Sequence, residues 1–89
     1  MKVSLLFLEG TGICARQGLN KIEVEFNGRT LGDLLGMIPK NLGPDVEKDL
    51  KDPALQLILN GRILAAPFDP REILRPEDQL TFLKALDGG

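Results

Sequence analysis

Residues 79–89 read QLTFLKALDGG, and the division of this stretch into strand and tail decides how the rest of the chain is arranged. Gln79-Leu80-Thr81-Phe82-Leu83-Lys84 is a run of strand length that is mostly apolar. Ala85 to Gly89 has no such pattern and ends on two glycines, so a last strand hands over to a five-residue tail. A free carboxylate on an exposed Gly88-Gly89 end is a chemical handle; the bland alternative is a frayed terminus or a cloning remnant. A nearly all-apolar strand belongs inside a sheet, and the matching run lies at the other end of the chain, Lys2 to Leu8, KVSLLFL. The first and last strands are therefore expected side by side in the middle of a sheet, with both faces of the first at least partly covered.

Working inward, Glu9-Gly10-Thr11-Gly12 breaks the first strand, and residues 9–20 read as a loop. Lys21 to Phe26 alternates polar and apolar, a half-exposed strand with Ile22, Val24 and Phe26 inward. Asn27-Gly28 marks a turn. Thr30 with Asp33 three residues on predicts an N-capped helix from about Leu31 to Ile38, its stripe Leu31, Leu34, Leu35 and Ile38 facing the sheet. Pro39 is expected to stop the regular helix, with a frayed turn as far as Leu42. Lys40 to Pro53 is polar and reads as a connection with a helical turn around Val46 to Leu50. Ala54 to Leu59 is a strand closed by the tight-turn pair Asn60-Gly61, Arg62 to Ala66 a short returning strand, and Arg71 to Leu74 one 3₁₀-like turn.

At 89 residues with 43% hydrophobic and 27% charged residues, the chain has room for one globular domain, residues 1–84, followed by the tail 85–89. A net charge of −2, no Trp or Tyr and four Phe argue against a nucleic-acid partner, which needs clustered cations and stacking rings. The apolar start is too short for a membrane span or a signal-peptide core, and the single Cys14 has no internal disulfide partner; a cytoplasmic address is expected. With no histidine the usual general base is missing, so catalysis by this chain is not expected, and neither is a resident metal or cofactor.

Several features point to nothing special. Glu9-Gly10-Thr11-Gly12 lacks the Lys-Ser/Thr ending of a phosphate loop, and no helix is expected after it. Gly32 and Gly36 are expected to let the helix pack closely on the sheet. The carboxylates Glu47, Asp49, Asp52 and the pair Glu77-Asp78 read as a solvated face. Strand parity is more informative: with Val3, Leu5, Phe7, Leu55, Leu57, Leu59, Leu80 and Phe82 turned to the helix, Leu6, Leu8, Ile58 and Leu83 point to the opposite face. That apolar patch is either a partner site, extended by Ala85 and Leu86 of the tail, or the seat of a loop drawn from 9–20 or 62–76.

The order strand, strand, helix, strands and Gly-Gly resembles the α+β ubiquitin-like β-grasp fold, a mixed sheet with one main helix across one face. The detail resembles its sulfur-carrier branch, the MoaD/ThiS family, and within it the small subunit of molybdopterin synthase. The matching residues are the Lys2-Val3 strand, Thr30-Leu31 opening a Leu-rich helix, Ala54 to Asn60, Pro76-Glu77-Asp78-Gln79-Leu80 where the family usually has Gly-Asp-Glu-Val, Phe82-Leu83, and Gly88-Gly89. The chain departs at Lys84-Ala85, where MoaD proteins often carry a proline pair, and at Asp87, where a small residue is more usual.

The resemblance implies a carrier that is a substrate of other enzymes. An E1-like adenylyltransferase of the MoeB/ThiF type, which itself binds ATP and Mg, would adenylate Gly89. Sulfur from a donor protein would then leave a C-terminal thiocarboxylate for a synthase large subunit of the MoaE type or for a thiazole synthase. Gly88, having no Cβ, would let the tail thread a narrow channel. The added passage Lys40 to Pro53 sits nearer the molybdopterin type. A thiamin-pathway carrier, a covalent protein modifier and a non-covalent β-grasp interaction module are the alternatives.

Overall fold

The first and last strands meet at the centre of a five-stranded mixed sheet. The computed structural model describes residues 1–8, 10–18, 20–64 and 68–84. In chain order these form β1 (Lys2–Phe7), α1 (Gly12–Gln17), β2 (Lys21–Glu25), α2 (Leu31–Leu42), α3 (Pro44–Lys51), β3 (Leu55–Leu59), β4 (Arg62–Leu64) and β5 (Gln79–Lys84). The sheet order is β2-β1-β5-β3-β4. β1 and β5 run parallel, with Leu5 opposite Leu80 and Phe7 opposite Phe82, while β1–β2, β3–β5 and β3–β4 are antiparallel. Asn60 and Gly61, at φ +50° and +87°, close the β3–β4 hairpin with the left-handed pair that matches strand twist.

One face of the sheet carries the core. Val3, Leu5, Phe7, Leu55, Leu57, Leu59, Leu80 and Phe82 are all buried there with Leu31, Leu34 and Ile38 of α2, Ile13 of α1 and Val46 of α3. The rings of Phe7 and Phe82 stack at 4.9 Å across the central strand pair, which adds ring–ring attraction to the area both bury.

The helices differ from expectation in three ways. Residues 9–20 are not all loop, since Gly12–Gln17 is helical and seats Ile13 in the core. Pro39 does not stop α2, which runs on to Leu42. The proline removes only the bond to the Leu35 carbonyl, and its own carbonyl still accepts from Gly43 N at 2.9 Å. Burying Leu31, Leu34 and Ile38 contributes about 1.5–3 kcal/mol each, which offsets about 1 for each of Gly32 and Gly36 and about 3 for Pro39. The Thr30–Asp33 capping box starts the helix as expected, with the Thr30 hydroxyl accepting from Asp33 N and the Asp33 carboxylate accepting from Thr30 N.

The third difference is α3, two turns where a polar connection was read; its inner face is Val46 and Asp49, both buried. Nor is there a helical turn at 71–74. Leu74 is buried, and Ile73 forms an isolated antiparallel bridge with Thr30 that ties this segment to the start of α2. That contact also corrects the reading of the helix glycines: Gly32 packs against Pro70 rather than the sheet, and Gly36 faces open space. No helix among the described residues is long and apolar enough to cross a membrane.

Candidate functional site

Two features converge where β5 ends. The first is an ion cluster at Lys84, the last residue of that strand. Strand alternation turns Lys84 to the same side as Leu80 and Phe82, and its ammonium lies 3.0 Å from Asp49 Oδ1 and 3.1 Å from Asp52 Oδ2. Asp49 is buried and accepts two backbone amides as well, Gly12 N to Oδ1 at 2.7 Å and Ile13 N to Oδ2 at 3.1 Å. Asp52 follows the last turn of α3, and its Oδ1 accepts from Ala54 N at 2.8 Å. The hydrogen bond to Asp49 holds the Lys84 amine above its ordinary basicity against the opposing effect of partial burial. Asp52 is held below the usual carboxylate range by the Ala54 amide and then by Lys84.

These contacts correct the expectation of a solvated acidic face at Asp49 and Asp52, while Glu47 and Glu77 are exposed as expected. Asp49 is an internal connector, and with its oxygens engaged by an ammonium and two amides it is no general base. Asp78 is likewise buried: Asn60 Nδ2 donates to its Oδ1 at 2.8 Å and Arg75 N to its Oδ2 at 2.7 Å, which joins the β3–β4 turn to the start of β5. The phosphate-loop reading fails for a different reason than the sequence offered. A helix does follow Gly10-Thr11-Gly12, but the first two amides of that helix already hold the Asp49 carboxylate. Cys14 stands in α1, half-buried, with Sγ 3.3 Å from Asn20 Oδ1. No group of His, Cys, Asp and Glu able to hold a metal occurs among the described residues.

The second feature is the other face of the sheet. The buried apolar residues of α1, α2 and α3 all join the cluster on the opposite side, and Leu6, Ile58 and Leu83 are half-buried with Leu8 43% exposed. Register places Leu6, Thr81, Ile58 and Ile63 in one row across β1, β5, β3 and β4. Ile63, 67% exposed, was missed because the short returning strand was read without a parity; its pairing with Ile58 is the signal. Of the two loops that could have covered this face, α1 puts Ile13 into the core on the helix side, as Leu74 and the half-buried Phe68 do for the segment after β4. Ala85, Leu86, Gly88 and Gly89 lie outside the described residues.

No family model matches the sequence, and no curated protein matches it. Solved structures do. SAMP1 from Haloferax volcanii superposes with a TM-score of 0.75 at 19% identity, covering 100% of both chains. A chain from Pyrococcus furiosus described as molybdopterin converting factor, subunit 1, gives 0.70 at 20% identity over 97% of this chain and 99% of its own. Small archaeal modifier protein 1 from Methanosarcina acetivorans gives 0.71 at 14% identity over 99% and 96%.

The fold is a ubiquitin-like β-grasp. Its helical side is fuller than the one main helix expected, with α3 packed against both α2 and α1. Within this β-grasp, Lys84, Asp49 and Asp52 form the junction that sequence reasoning did not assemble, because its members lie on a strand end, a helix and a helix cap. The described residues set a partly exposed apolar face, the one turned away from the helices, beside a strand end fixed by charge.

Proposed function

We propose that the chain is a sulfur-carrier protein of the molybdopterin type. Gly89, presented as a free carboxylate, is adenylated by an E1-like adenylyltransferase of the MoeB/ThiF type that holds ATP and Mg. The outer sulfur of a donor protein's persulfide then displaces AMP to form an acyl disulfide, and a second thiol cleaves its S–S bond, leaving the thiocarboxylate and a disulfide. The observation that carries this reading is the placement of β5: a central strand ends at Lys84, the sheet face turned away from the helices bears half-buried Leu6 and Ile58 with exposed Leu8 and Ile63, and Gly88-Gly89 follow close behind in sequence. The similarity to the Pyrococcus furiosus molybdopterin converting factor subunit, over nearly the whole of both chains, supports the pathway.

A C-terminal carboxylate, with a reference pKa of about 3.3–3.7, is ionised and a poor electrophile at neutral pH, so activation by a partner is required. Five residues reach at most roughly 18 Å, enough to enter a partner's pocket while Leu6, Leu8, Ile58 and Leu83, continued by Ala85 and Leu86, dock outside. The same face suits a synthase large subunit of the MoaE type after sulfur is loaded. The chain is then a protein substrate in the cytoplasm and not an enzyme.

Intact-mass spectrometry after incubation with an E1-like adenylyltransferase, ATP, Mg, a persulfide donor and a thiol reductant should show one oxygen replaced by sulfur at Gly89, and no change in a chain lacking Gly88 and Gly89. A carboxylate left unmodified by MoeB- and ThiF-type enzymes alike would sink the proposal. The two modifier proteins among the similar structures favour one second reading, conjugation of the same activated tail to lysines, which would leave Gly-Gly remnants on cellular proteins after digestion.

A further inference from the structure

One side chain, that of Lys84, ties the end of β5 to three other pieces of the fold. Through Asp49 it reaches the start of α1, whose Gly12 and Ile13 amides share that carboxylate. Through Asp52 it reaches the end of α3 and the entry to β3, since Asp52 also accepts from Ala54 N, and Leu55 is the register partner of Lys84. The turn after β1 closes in as well, with Leu8 N donating to Phe82 O at 3.0 Å and a Cβ at Gly10 placed to meet Lys84 Cβ at 3.8 Å.

Holding the strand does not require this cluster. β5 has ladder partners on both sides, and Leu80 and Phe82 are fully buried. By alternation position 84 belongs to the core side, where an apolar residue would extend the core without bringing a charge out of water. The chain instead places a lysine there, at the residue from which 85–89 leave, and buries a carboxylate to meet it.

We propose that Asp49 and Asp52 are positioning residues for the tail. By holding Lys84 they fix the point and direction from which residues 85–89 depart, so that Gly89 approaches a partner's active site from a set root. This rests on the carrier reading above. If the root frays by one or two residues, the longer tether alone lowers effective concentration less than about twofold, following the −3/2 power of length. Lost orientation costs more, up to about a hundredfold where reacting groups are displaced by an ångström. Between these limits kcat for activation should fall about tenfold, with KM unchanged because the docking face is untouched.

The test is ATP–pyrophosphate exchange by a MoeB-type adenylyltransferase on the whole chain and its variants, together with amide hydrogen exchange at Leu83 and Lys84 followed by NMR. Asp52→Asn keeps an oxygen for Ala54 N and removes only the charge facing Lys84, so it remains informative even where an Asp49 variant fails to fold. Asp52→Asn and Lys84→Met should lower kcat at constant KM and speed exchange at residue 84. Lys84→Arg, which keeps the charge, should restore both. Wild-type kcat and exchange rates in Asp52→Asn and Lys84→Met, or equal impairment of Lys84→Arg and Lys84→Met, would overturn the positioning role alone. No pyrophosphate exchange with the wild-type chain by MoeB- and ThiF-type enzymes alike would overturn the carrier reading and the positioning role with it.

Discussion

Asp49 and Glu77 were both read as solvated carboxylates; Asp49 is buried, and Glu77 is exposed as expected but carries an unusual backbone. Asp49 falls three positions after Val46, hence on the same face of a helix, and that spacing was the available signal that it turns inward. Its partners could not be read in advance, because Gly12 and Ile13 lie far away along the chain and offer backbone amides, which sequence does not distinguish. Glu77 sits at φ +67°, the third residue of a turn closed by Asp78 N on Arg75 O at 3.2 Å with Pro76 in second place. That turn type favours glycine at the third position. Glu77 is exposed, and its amide bond to Lys2 O at 2.8 Å is backbone only. Glu77→Gly should therefore relieve left-handed strain at some entropic cost in the unfolded chain, for a net gain of about 0.5 kcal/mol. Urea denaturation measures it, and a loss of stability would mean that the glutamate side chain has a compensating role.

At the scale of elements, legibility followed local signals. α2 announced its start through Thr30 and Asp33, and the strands announced themselves by parity, so the inward residues Val3 through Phe82 are buried as expected. α1 and α3 carried no such signals. Thr11 precedes α1 without capping it, its hydroxyl donating instead to Leu8 O at 2.9 Å, and the free amides are satisfied from α3. The inner face of α3 is half polar, which hides its amphipathic period. The continuation of α2 past Pro39 is a tertiary effect, because Leu42 packs against the core. The glycines of α2 give a paired test. Gly36 has nothing within 4 Å of a built Cβ, whereas at Gly32 that atom would lie 2.8 Å from Pro70 Cβ and 3.1 Å from Pro70 O. Gly36→Ala should raise stability by about 1 kcal/mol and Gly32→Ala should lower it by about 1–3 kcal/mol. Thermal unfolding of the two variants side by side separates propensity from packing, and equal shifts would refute the contact with Pro70.

For the molecule as a whole, the perturbed charges set how stability follows pH. Asp33, Asp52 and Asp69 are held below 3.8, first by the backbone amides of Arg29, Ala54 and Arg71 respectively. Their contribution is complete above 3.8 and disappears as pH falls through the lower folded values. Lys84 is held above 10.5, so its contribution is complete below 10.5 and disappears as pH rises through the higher folded value. With no histidine in the chain, these groups leave a plateau from about pH 5 to pH 9 with losses on both sides. Denaturation midpoints across pH should trace it, and a step near about pH 6.5 would contradict it. The central parallel pair carries another consequence. β5 lies between β1 and β3, so a chain cut before Gln79 leaves those two strands without their shared neighbour. Loop closure across nearly the whole polypeptide must come before the sheet is complete. Such a truncation should therefore cost the sheet as a whole and not one edge of it, which circular dichroism would register.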